Sequence, residues 1–121
     1  MVTIGYMEGT DSGLLTKLAA SGAETLPLGN GWDGHGQYIA HLNVGDGVSA
    51  VVGYYHKFVP LSGSNLTPAD LLKSCNICGI KIFIIADKDD HGRVKKTLGE
   101  VASDVQLMDT SEVQNALLKL L

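Results

Sequence analysis

The chain has 121 residues, 45% of them apolar and 18% charged, with fifteen glycines and a formal net charge of −4. That length suits one domain with an ordinary hydrophobic core, and the balance is that of a globular chain rather than a disordered one. The negative charge leaves no global footprint for nucleic acid, so any phosphate contact needs a local basic patch or a bridging cation.

No apolar run reaches the length of a membrane span, and Met1 leads straight into a strand-like run without a basic leader. Two cysteines make no disulfide framework. A cytoplasmic protein without membrane attachment is the expectation.

In chain order, residues 2–7 read as an apolar strand that leaves through Glu8-Gly9-Thr10-Asp11. Thr10 or Asp11 can cap a helix carrying Leu14, Leu15, Leu18 and Ala19 on one face, ending at Gly22. Residues 25–28 form a short strand, residues 29–36 a glycine-rich turn anchored by Trp32, and residues 37–42 a weaker helix. Residues 48–53 are strand-like and run into Tyr54-Tyr55-His56-Lys57-Phe58, read as an edge strand or a homodimer contact because a small domain exposing aromatics often associates.

Thr67-Pro68-Ala69-Asp70 is a helix start, with a capping threonine, proline at the first helical position and an acid in the first turn. That helix stops at Gly79, and residues 80–86 form a nearly continuous apolar run, as in a parallel strand buried on both faces. Val94, Leu98 and Val101 then share a helix face, residues 105–108 form a last short strand, and residues 111–121 a last helix. Strands alternating with helices predict one three-layer α/β domain, with a mainly parallel sheet of about five strands and helices on both faces. Ligands of such sheets bind at the carboxyl ends of the strands, which directs attention to residues 8–11, 29–36 and 87–93.

The last of these loops, Asp87-Lys88-Asp89-Asp90-His91-Gly92-Arg93, puts two carboxylates at the end of a buried strand. Such a pair suits Mg²⁺, which takes a few carboxylate oxygens and keeps water or phosphate oxygens as its other ligands. Gly92 lets the backbone turn closely into the next helix, and Arg93 offers a planar fork to a phosphate. As a bare acidic strand end, the segment also reads as a capped turn.

Taken together, Glu8-Gly9-Thr10-Asp11, through Glu8, Gly9 and Asp11, and Asp87-x-Asp89-x-x-Gly92 resemble the two motifs of the Toprim domain of primases, topoisomerases and small RNA-maturing nucleases. Asn30-Gly31 after the second strand is similar to the Asn-Gly of the nuclease branch. The resemblance implies Glu8 as a general acid/base and a metal ligand, Asp87 and Asp89 as Mg²⁺ ligands, and phosphodiester or nucleotidyl chemistry on a nucleic acid or phosphate-containing ligand. Gly9, Asp11, Asn30, Gly31, Gly92 and Arg93 would then line the ligand. Residues 44–66 have no counterpart in that family.

From Val59 onward the order of elements also resembles flavodoxin-like domains, which implies a non-enzymatic module binding a small ligand or a partner subunit through residues 8–11, 29–36 and 54–66. Asp33-Gly34-His35 is similar to the cobalamin-loop Asp-x-His, but Tyr38 stands where that motif needs glycine.

Cys75-Asn76-Ile77-Cys78 lacks the second pair of a zinc site, and at a helix C-terminus the dipole opposes a thiolate, so both thiols read as small hydrophobes. His35, His41, His56 and His91 lie in separate segments, and only His91 falls inside a candidate site.

Overall fold

The computed structural model describes residues 2–32, 36–60 and 66–121. Met1, Asp33-Gly34-His35 and residues 61–65 lie outside the described residues. The strands are β1 (Thr3–Met7), β2 (Glu24–Gly29), β3 (Gln37–Tyr38), β4 (Val48–Tyr54), β5 (Lys81–Ile85) and β6 (Gln106–Met108). They form one six-stranded sheet in the order β3-β2-β1-β4-β5-β6, with every neighbouring pair parallel.

The helices are α1 (Ser12–Ala20), α2 (Pro68–Ile77), α3 (His91–Leu98) and α4 (Thr110–Leu118). Leu14 and Leu18 of α1 and Val113 and Leu117 of α4 pack on one face of the sheet, against Ile4, Ala50, Val52, Phe83 and Ile85. Leu71, Leu72 and Cys75 of α2 with Val94 and Leu98 of α3 cover the other, against Met7, Leu28, Val51, Ile82 and Ile84. Alternate side chains of each central strand enter opposite cores, which is why β5 reads as a nearly continuous apolar run.

Two expectations are corrected. Residues 37–42 are not a helix: Gln37 and Tyr38 pair with Leu28 and Gly29 as a sixth strand, and only Ile39–His41 turns, as a single 3₁₀ turn that buries Ile39. Residues 54–58 are not an edge either, because β4 lies between β1 and β5 in the middle of the sheet. Phe58 is fully buried, closing a 3₁₀ turn over Tyr55–Lys57, so the segment does not present a continuous exposed aromatic strip.

No described helix is long and apolar enough to cross a membrane.

Candidate functional site at the carboxyl edge of the sheet

From β1 the chain passes through α1 to β2, while from β4 it passes through α2 to β5 on the opposite side. The carboxyl ends of β1 and β4 therefore flank the point where the winding reverses, where open α/β sheets form their crevice. In this chain an ion pair bridges it. Lys57 Nζ donates to Glu8 Oε2 at 2.7 Å, with the lysine side chain 16% and the glutamate 46% exposed.

The same lysine residue ties in the loop after β2. The buried Asn30 amide donates to the Lys57 carbonyl at 3.2 Å, and its side-chain oxygen accepts the Trp32 N–H at 3.1 Å. Gly9 and Gly31 have φ of +86° and +94°, a left-handed backbone that favours glycine, so both act in turning the chain. Asp11 caps α1 by accepting the Gly13 N–H at 3.2 Å.

The loop after β5 is also tied down by its own groups. The Asp90 N–H donates to the Asp87 carbonyl at 2.8 Å, closing a 3₁₀ turn over Lys88–Asp90. Arg93, expected to meet a phosphate, pairs with Asp90 at 3.0 Å. Gly92 lies inside the first turn of α3 and is not among the glycines with a left-handed backbone. His91 Nε2 lies 2.9 Å from the Ala86 carbonyl oxygen. Asp109 accepts the N–H groups of Ser111 at 3.0 Å and Lys88 at 3.3 Å, and these bonds hold its carboxyl below the usual range.

The structure thus pairs Glu8 with Lys57, whose carbonyl Asn30 holds, and leaves Asp87 and Asp89 on another loop. Strand β4 separates β1 from β5, a lateral offset of about two strand spacings, roughly 10 Å. Among the described residues no group of three metal-ligating side chains comes together.

What does converge is a cleft on the α4 side of the sheet edge. One cavity of about 190 Å³ is lined by Tyr54, Tyr55, His56, Asp87, Asp90 and Thr110. A narrower one of about 50 Å³ is lined by Asp11, Leu14, Val113 and Gln114, and it shares Tyr54, Ile85 and Thr110 with the first. The rings of Tyr54 and His56 stack with centroids 6.3 Å apart and planes at 28°. Sequence reasoning placed Asp11, Asp87 and, through the 54–66 loop, Tyr54 among the candidate ligand loops, but missed Thr110 and Gln114. Nothing local signals these two, since the sheet order alone carries α4 beside β5.

A larger and more open cavity of about 430 Å³, lined by Ala69, Lys73, Ile77, Glu100 and Asp104 among others, shares no residue with this cleft. It has neither the aromatic wall nor the strand ends that position functional groups in this architecture.

No protein-family model matches the chain, and no curated protein matches it in sequence.

Proposed function

We propose that this chain is a non-enzymatic binding module that holds a small ligand in the cleft between Tyr54, Asp87 and Thr110. The observation that carries the reading is the pair of adjoining cavities at the carboxyl ends of β4 and β5, lined by both stacked rings and carboxylates. Concave sites with an apolar body and a few placed polar groups are where small ligands bind, and strand carboxyl ends are where this architecture puts them. A fragment mixture screened by amide chemical shifts tests it. Perturbations should cluster at Tyr54, Asp87, Thr110 and Gln114. Clustering instead along Lys73, Ile77 and Glu100 would move the site to the other groove and overturn the reading.

A Toprim-like Mg²⁺-dependent phosphodiester or nucleotidyl chemistry is the second reading, favoured by Asp87 and Asp89 leaving a buried strand at this same edge. It requires Glu8 to release Lys57 and act across the end of β4. Titration with Mg²⁺ or Mn²⁺ decides it. Joint saturable shifts at residues 8–11 and 87–92 would support it, and silence at millimolar metal would remove it.

A further inference from the structure

The charges around the cleft are one-sided. Asp11, Asp87 and Asp90 line its two cavities, and among the described residues no lysine or arginine lines either. Of the basic side chains around it, Lys57 is paired with Glu8, and Arg93 with Asp90, whose carboxylate it partly neutralises.

An α/β sheet of this kind usually offers anions the free N–H groups at the starts of its helices. Here the chain fills two of those places with its own carboxylates. Asp11 takes the Gly13 N–H at the start of α1, and Asp109 takes the Ser111 N–H at the start of α4. A phosphate or carboxylate entering the cleft would displace one carboxylate while facing the others, in a chain that is already net −4.

The aromatic wall gives an independent indication, in the same direction. Tyr54 and His56, whose rings stack on one another, line the same cavity as Asp87 and Asp90. Ring faces attract cations, and carboxylates accept charge-assisted bonds from ammonium N–H groups. The volume of about 190 Å³ suits a few heavy atoms and is below the usual range for cofactor-sized ligands.

Building on the binding-module reading, we infer that the cleft takes a small primary organic ammonium ion, its charge held by Asp87 and its alkyl part laid on Tyr54.

The test is an amide-shift titration of the full chain with n-butylammonium, run at constant ionic strength beside n-butyrate and inorganic phosphate. Saturable shifts at Tyr54, Asp87 and Thr110 are expected for the amine alone. Asp87→Asn should weaken it about tenfold or more, Tyr54→Leu should weaken it several-fold, and Glu100→Gln in the remote groove should leave it unchanged. Saturable shifts at these amides with phosphate or butyrate, and none with the amine, would overturn the ligand class while keeping the cleft. No saturable shift with the amine overturns the class too. The fragment screen then decides separately whether the cleft binds anything.

Discussion

Gly53 has no room for a side chain. A Cβ there would stand 2.6 Å from Met7 Cγ and 2.7 Å from Met7 Cβ, with Phe58 Cε2 at 3.1 Å. Since the Met7 Cβ is fixed by β1, Gly53→Ala should cost about 1–3 kcal/mol in urea unfolding, the usual range for overpacking. Gly5→Ala should cost less, because the atom it meets first is the tip of Leu28, which can rotate away. Cys75 makes a different point. Burial, and secondarily the neighbouring Cys78, push its thiol up to about 12. A thiol reagent at mildly alkaline pH should therefore label Cys78 and spare Cys75 in the native protein. Because the folded-state value is raised, the unfolded chain gives up a proton that the native one keeps. Stability should thus fall as pH rises from the ordinary thiol value towards about 12, and Cys75→Ala should flatten that alkaline limb.

At the scale of elements, the start of α2 was written locally and formed as read. Thr67 accepts the Asp70 N–H at 3.2 Å, and Asp70 returns a bond from the Thr67 N–H at 2.9 Å. Thr67→Ala should cost about 1 kcal/mol, measured by thermal or urea unfolding. These bonds hold the Asp70 carboxyl below its usual value, as those from Ser111 and Lys88 do for Asp109. Both groups therefore favour the native state above the ordinary carboxylate range, and that contribution is lost as pH falls through their lowered values. Asp70→Asn and Asp109→Asn should each flatten the acid limb of a stability–pH profile. The strands buried on both faces were equally plain from their apolar runs. Residues 37–38 were not, because their strand exists only by pairing with Leu28 and Gly29, a tertiary fact with no local pattern. Residues 54–58 misled for a related reason: aromatic content marks a strand end without saying which strands lie on either side.

For the whole molecule, the class was legible and the seating of the acids was not. Alternation of strand and helix predicts a layered parallel sheet, yet says nothing of strand order. It is the order that puts β4 between Glu8 and Asp87, and that makes Tyr54 and Thr110 neighbours of Asp87. The same order sets a gradient of protection. Amides of β1, β4 and β5, paired on both sides, should exchange with solvent only through global unfolding, while those of the short outer strands β3 and β6 should exchange faster. Uniform protection across all six strands would contradict this arrangement.

The pairing of Ile4 with Ala50 also bears on how the protein is made. On the ribosome β1 and β2 emerge early, but the inner edge of β1 stays bare until β4 has followed. The nascent chain thus carries an unpaired, apolar strand edge while the roughly forty residues between β1 and β4 are made, a state in which chaperone capture or mispairing with a neighbouring chain competes with folding.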